Sequence, residues 1–199
     1  MSSRESILSA VKKNQPPLSA LPDISVFKVY ESDVVSKYIE TFIGIGGFVE
    51  RGADLPSVMT ILKTGPNKDC FADGKRVLTT LPVLSEISEV CSSDVDPHSL
   101  ENVELAIIEA HLGVAENGAV WLTERAMGHR VLPYITQHLA VIVREDNIVS
   151  TMHDAYSRIA QDDYGFGGFI GGPSKTADIE QALVLGAHGP LSMTVYIIK

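Results

Sequence analysis

The stretch Leu139-Ala140-Val141-Ile142-Val143 points most directly to the fold class of this chain. Its five apolar residues follow one another without a break, and the polar residues His138 and Arg144 bound the run. Uninterrupted apolar runs of this length are typical of strands that are buried on both faces of a parallel sheet. We therefore predict that residues 139–143 form a central strand.

Shorter apolar segments alternate with helical patterns on both sides of this run. Asp54 is a candidate N-cap for a helix whose apolar residues recur at helical spacing from Leu55, and Ser32-Asp33 is a candidate cap for an earlier helix. Further helices are predicted over 3–13, after Ser150 and over 174–185. Further strands are predicted at 48–50, 77–79, 103–108, 119–122, 166–170 and 193–198. This alternation predicts an α/β fold with an open, mostly parallel sheet and helices on both faces.

The length of 199 residues suits one domain with a small appendage. The break Asn14-Gln15-Pro16-Pro17 follows the first predicted helix. Proline cannot continue a helix, so we assign residues 1–22 to an N-terminal helix and extended arm. Residues 23–199 then form the α/β domain.

Composition and charge exclude several classes of function. A formal net charge of −9 argues against a nucleic-acid binder, which needs a basic face. No apolar run is long enough to span a bilayer. The chain has two cysteines and no secretory leader pattern. A cytoplasmic location is therefore expected.

The segment Gly171-Gly172-Pro173-Ser174-Lys175-Thr176 is the best candidate for binding an anion. Glycines that lead into a helix leave free backbone N–H groups at the positive end of the helix dipole. Gly172, Ser174, Lys175, Thr176 and Asp178 are therefore predicted to bind a small carboxylate or phosphate at the carboxyl edge of the sheet. The structural alternative is that Ser174 is only a helix cap.

A second candidate site is Ala115-Glu116-Asn117-Gly118, which lies between two predicted strands. Glu116 is a candidate catalytic carboxylate, and Asn117 and Gly118 are candidate ligand-binding residues, because ligands of α/β proteins bind at strand ends. The structural alternative is a tight hairpin turn, which Asn-Gly strongly favours.

Histidines and cysteines show no recognisable metal spacing. The six histidines are scattered, and Cys70 and Cys91 form no C-x-x-C motif. We therefore predict no metal and no cofactor in this chain. His188, in the turn Gly186-Ala187-His188-Gly189-Pro190, is the histidine placed in the candidate ligand site.

The C-terminal segments carry a resemblance to a known family. Gly172-Pro173-Ser174-Lys175-Thr176-Ala177-Asp178-Ile179-Glu180, followed by Gly186-Ala187-His188-Gly189-Pro190, resembles the signature G-P-S-[RK]-T-A-D-I-E and G-[VA]-H-G-P of the LUD-domain family, of the lactate-utilisation protein C (LutC/YkgG) type. That family carries A-E-T-G where this chain has Ala115-Glu116-Asn117-Gly118. We refer to residues 172–180 and 186–190 together as the signature.

The resemblance implies a NagB/RpiA/CoA-transferase-like fold and a role in the oxidation of L-lactate to pyruvate. Its iron–sulfur clusters are expected only in partner subunits, which this chain is expected to bind. The alternative is a stand-alone CoA-transferase-like or isomerase-like enzyme that uses Glu116.

Overall fold

A computed structural model of the protein describes residues 2–23, 33–160, 162–177 and 183–199. The helices of these ranges are α1 (Ser3–Lys13), α2 (Val34–Gly44), α3 (Leu55–Thr64), α4 (Glu124–Met127), α5 (Leu132–Ile135) and α6 (Met152–Ile159). The strands are β1 (Phe48–Arg51), β2 (Arg76–Thr79), β3 (Glu89–Val90), β4 (Val103–Glu109), β5 (Leu112–Val114), β6 (Ala119–Thr123), β7 (His138–Arg144), β8 (Ile148–Val149), β9 (Gly167–Ile170), β10 (Lys175–Ala177), β11 (Leu183–Leu185) and β12 (Ser192–Ile198).

A six-stranded parallel sheet is the centre of the fold. Its strand order is β1-β12-β7-β4-β2-β3, and every neighbouring pair is parallel. The predicted strand 139–143 forms the middle of β7, where residues Leu139 to Val143 are fully buried. The prediction of an α/β fold with an open, mostly parallel sheet is confirmed.

Helices cover both faces of this sheet, as predicted. Val141 and Val143 belong to a core cluster that contains Tyr38 and Phe42 of α2. Ala140 and Ile142 belong to a second cluster that contains residues of α3. Because successive side chains of a strand point to opposite faces, one buried strand supplies both cores.

A smaller sheet of order β8-β5-β6-β9 lies beside the α2 face. β5 and β6 form an antiparallel hairpin, and Gly118 N–H donates to the carbonyl of Val114 at 2.8 Å. Gly118 has φ +71°, a left-handed conformation that suits glycine. The hairpin alternative for 115–118 is therefore what the structure shows, and α6 packs on this sheet through Ala155 and Ile159.

The helix predicted over 174–185 is wrong at both of its described ends. Residues 175–177 and 183–185 form the antiparallel hairpin β10–β11, in which Thr176 lies opposite Val184. Two β-branched residues facing each other across strands favour a sheet. Asp178 lies outside the described residues, as does Ser32.

The predicted helix caps are largely confirmed. Asp33 caps α2 and Asp54 caps α3, each accepting a hydrogen bond from a backbone N–H of the first turn. The cap of α6 is Thr151 rather than Ser150, because Thr151 and Asp154 form a reciprocal capping box.

The first helix stands apart from both cores. α1 spans the predicted range 3–13 and buries none of its residues. None of the helices within the described ranges combines the length and the apolar character that a bilayer crossing requires.

Replacement of Gly118 tests the hairpin turn. A Cβ at Gly118 would lie 3.2 Å from the Cα of Phe42, and φ is positive there. Gly118→Ala should therefore destabilise the fold by about 1–3 kcal/mol in urea unfolding. The matched control is Gly44→Ala, because a Cβ at Gly44 meets nothing within 4 Å. Equal urea concentrations at the midpoint of unfolding for the two variants would contradict this packing.

Candidate functional site

The described signature residues, 172–177 and 186–190, lie at the amino edge of the parallel sheet, so the prediction that the turn at 172–176 reaches its carboxyl edge is wrong. Ser174 N–H donates to the carbonyl of Pro190 at 2.9 Å, and β12 begins two residues after Pro190. The turn at 171–175 packs on Ile45 and Gly46, which precede β1. The segment between β9 and β12 reaches this edge because β12 is parallel to its neighbours and therefore begins at the amino edge of the sheet.

Several polar groups of the described signature residues form hydrogen bonds within the protein. The Nζ of Lys175 donates to the carbonyl of Ile45, and Thr176 Oγ1 donates to the carbonyl of Val184 at 3.2 Å. Ser174 Oγ accepts from the N–H of His188 at 3.4 Å, and the carbonyl of Ser174 accepts from Gly186 at 3.1 Å. These bonds join the hairpin β10–β11 to the preceding turn and to the end of α2.

Three of the predicted residues converge on Ile45. A Cβ at Gly118 would lie 3.0 Å from Ile45 Cδ1, and a Cβ at Gly172 would lie 3.2 Å from the same atom. Gly172 also has φ +73° and is buried. The structure thus brings Gly118, Gly172 and Lys175 together as a packing contact around the end of α2.

Glu116 and Asn117 form hydrogen bonds within the β5–β6 turn and beyond it. Glu116 is exposed, and its Oε2 accepts from the N–H of Met152 at 2.7 Å, at the start of α6. Asn117 Oδ1 accepts from the N–H of Ala119 at 3.0 Å. A carboxylate at the first N–H groups of a helix satisfies an otherwise unpaired donor and complements the dipole.

An open crevice lies at the opposite, carboxyl edge of the sheet. The chain leaves β2 outward to β3, but it leaves β4 in the other direction toward β7. The strand ends of β2 and β4 are therefore a topological switch point, where open α/β sheets bind their ligands. Sequence reasoning missed this place, because no local motif marks where two connections diverge.

We call this region the switch-point crevice. Its main lobe has a volume of about 560 Å³, and an adjoining lobe of about 320 Å³ extends beneath α4. Thr80 follows β2, Cys91 follows β3, and both line the main lobe. The remaining residues of the main lobe are Ser93, Glu124, Arg125, Gly128, His129 and Arg130.

The charges of the main lobe leave one cation without a partner. Arg130 donates from Nε to Glu124 Oε2 at 2.7 Å and stacks over the ring of Phe166. This contact with Arg130 holds the pKa of Glu124 below its ordinary value, so that pair is neutral overall. Arg125 makes no hydrogen bond or ion pair with any residue that the structure describes.

Further donors accompany Arg125. The Nδ1 of His129 accepts from the N–H of Val131 at 3.2 Å, which leaves Nε2 as the ring nitrogen that can donate to a ligand. Burial raises the pKa of Cys91, so its thiol is neutral. A guanidinium, an imidazole N–H and the Thr80 hydroxyl form a set of donors that suits a carboxylate.

A neighbouring cavity of about 620 Å³ has the opposite character. It shares Glu124 and Arg125 with the main lobe, but Asp162 and Asp163 also line it. His111 lies here, with Nε2 2.8 Å from Thr123 Oγ1. Two exposed carboxylates repel an anion, so the electrostatics favour the main lobe of the switch-point crevice for a negatively charged ligand.

Metal-ligand side chains lie close together elsewhere. Cys70, Glu104 and His138 form the group of three that is found within the described ranges, at the amino edge of the sheet. They are remote in sequence from one another, so spacing did not reveal them.

The fold and the crevice define an open α/β protein with a crevice at the carboxyl ends of its parallel strands. The chain belongs to the LUD domain family, whose model matches residues 94–198. This finding confirms the family resemblance that was based on the signature.

Similar proteins support this assignment. Lactate utilization protein C of Oceanobacillus iheyensis is 29% identical over 105 residues, which cover 49% of this chain and 45% of that protein. The chain therefore spans about half the length of that curated relative. An uncharacterized protein of Neisseria meningitidis serogroup B is 26% identical over 229 aligned positions, which cover 100% of this chain and 94% of that protein.

A solved structure shares the fold. The crystal structure of a DUF162 family protein from Deinococcus radiodurans superposes with a TM-score of 0.62 at 16% identity. The match covers 86% of this chain and 100% of that one.

The role of Glu116 can be measured directly. Glu116→Ala removes the acceptor of the Met152 N–H and should destabilise the protein by about 0.5–2 kcal/mol, the range of a lost helix cap. Glu101→Ala, at an exposed position, is the control and should change the urea midpoint little. A Glu116→Ala variant as stable as the control would show that the cap contributes nothing.

Proposed function

We propose that this protein is a subunit of a lactate-utilisation system and that it binds a small carboxylate in the switch-point crevice. Membership of the LUD domain family and the relatives named lactate utilization protein C support the first part. The unpaired guanidinium of Arg125 at the switch point is the observation that carries the second part.

The chemistry of the crevice matches lactate and pyruvate as a class. Both are singly charged, and both carry an oxygen on the carbon atom next to the carboxylate. Arg125 supplies a planar pair of donors for the carboxylate, and His129 Nε2–H or Thr80 supplies a donor for the neighbouring oxygen. The main lobe is several times larger than a three-carbon acid. The proposal therefore includes ordered water or a partner side chain beside the ligand.

Iron–sulfur chemistry is assigned to partner subunits in this proposal. The chain has two cysteines, whereas a cluster is held by about four thiolates in most proteins. Electrons from lactate would then pass to clusters of the partner, while this chain binds the partner and the carboxylate. Co-purification with such subunits and lactate-dependent dye reduction by the mixture test the assembly.

The alternative of a stand-alone transferase that uses Glu116 receives less support from the geometry. Glu116 does not line the switch-point crevice, and its carboxylate accepts from the N–H that begins α6. A mass increase on Glu116 after incubation with an acyl-CoA would favour that alternative over the subunit proposal.

Arg125→Met tests the ligand site. Loss of a charge-assisted pair should weaken the binding of pyruvate or L-lactate by about tenfold to hundredfold in isothermal titration calorimetry. Arg158→Met is the matched control, because Arg158 is exposed on α6 and lies outside the crevice. Unchanged affinity in Arg125→Met, or equal losses in both variants, would contradict the proposal.

A further inference from the structure

A thiol, a carboxylate and an imidazole meet at the amino edge of the parallel sheet. Cys70 lies in the short 3-10 helix Lys68–Phe71, Glu104 in β4 and His138 at the start of β7. The ligand atoms of these three side chains all lie within 4.8 Å of one another, and His138 Nε2 is 3.8 Å from Glu104 Oε1. This is the edge opposite the switch-point crevice, so the group is separate from the carboxylate site.

The imidazole is oriented for metal binding by a further residue. His138 Nδ1 lies 2.7 Å from the hydroxyl of Ser192, which starts the neighbouring strand β12. With the proton on Nδ1 and donated to Ser192 Oγ, the lone pair of Nε2 faces Glu104 and Cys70. A hydrogen bond to the far nitrogen is the usual way in which proteins fix a ligating histidine.

From this geometry we propose that Cys70, Glu104 and His138 bind a zinc ion. Thiolate, imidazole and carboxylate are the three ligand types of zinc in proteins, and three protein ligands leave the fourth position for water. Tetrahedral coordination requires ligand atoms about 3.3–3.6 Å apart. The imidazole and the carboxylate, 3.8 Å apart, nearly meet this requirement, and the thiol, at most 4.8 Å from either, closes the set by a shift of about 1.3 Å at most.

Burial and access are both compatible with an ion. Cys70 is 4% exposed, whereas the side chains of His138 and Glu104 are 28% and 23% exposed. The sulfur therefore forms the floor of the site and the other two ligands form its opening. Asn67 lies beside the thiol and is itself held by the hydroxyl of Tyr196 at 2.7 Å.

Lys75 is the competitor that the ion must displace. Its Nζ donates to Glu104 Oε1 at 2.7 Å, so a cation already neutralises this carboxylate. The side chain of Lys75 is 38% exposed and can swing into solvent, which makes exchange for a divalent ion feasible. The lysine lowers the affinity for zinc without removing a ligand.

A nucleophilic cysteine is the other chemistry that such a trio suggests. Cys70 is 4% exposed, so a substrate has little access to its sulfur, and the metal site accounts better for the arrangement.

The test is zinc titration of the chelator-treated full chain, followed by a competing chromophoric chelator. One equivalent of zinc is expected to bind. Cobalt in its place is expected to give a thiolate-to-metal charge-transfer band. Cys70→Ser and His138→Gln should each weaken zinc binding by about hundredfold or more, and Ser192→Ala by about tenfold. Cys91→Ser is the matched cysteine control and should retain zinc binding.

Lys75→Met separates a metal site from an ordinary ion pair. Removal of the competing ammonium frees Glu104 and should tighten zinc binding. This test does not depend on whether the Cys70→Ser variant folds. Absence of stoichiometric zinc in the unmodified chain would overturn the proposal. So would binding that survives Cys70→Ser, or zinc affinity that is unchanged or weaker in Lys75→Met.

Discussion

The divergence of the chain at β2 and β4 is the constraint on which the geometry of the switch-point crevice depends. Parallel strands need crossover connections. Where the connections of two neighbouring strands leave in opposite directions, neither connection covers the carboxyl ends of these strands, and a crevice remains there. β2 leads outward to β3, and β4 leads inward to β7. The opening that results is bordered by α4, and this places Arg125 and His129 above the strand ends.

The described part of the signature forms a different structure from the one that its composition suggests. Glycines, a hydroxyl group and a lysine are typical of an anion site when a helix follows them. Here the hairpin β10–β11 follows, and the lysine donates to the carbonyl of Ile45. The segment packs the residues that precede β12 against the end of α2. Glycine suits position 172 because a Cβ there would lie 3.2 Å from Ile45 Cδ1.

Sequence patterns predicted the parts of the fold that depend on local burial. The core of β7 is an unbroken apolar run, and α3 has an N-cap at Asp54 and ends at Gly65-Pro66. The local sequence is therefore enough to predict both elements. The 174–185 segment has helix-forming residues but pairs Thr176 with Val184, so pairing between its two arms overrides local preference.

The two proposed sites could not be predicted in the same way, because the sheet topology brings their residues together. Thr80 and Arg125 are 45 positions apart (125 − 80) and meet only when the ends of β2 and the β6–α4 junction share an edge. The trio of Cys70, Glu104 and His138 comes together by the same logic at the other edge. A scan for metal spacing finds ligands on one element, whereas these ligands lie on three.

The central claim is that the ligand site lies in the switch-point crevice rather than at the signature. Titration of the isotope-labelled protein with pyruvate, followed by nuclear magnetic resonance, tests it most directly. The account predicts saturable shifts at Thr80, Cys91 and His129 and at the Arg125 guanidinium. Shifts confined to residues 172–176 and His188, or no saturable shifts in the crevice, would contradict it.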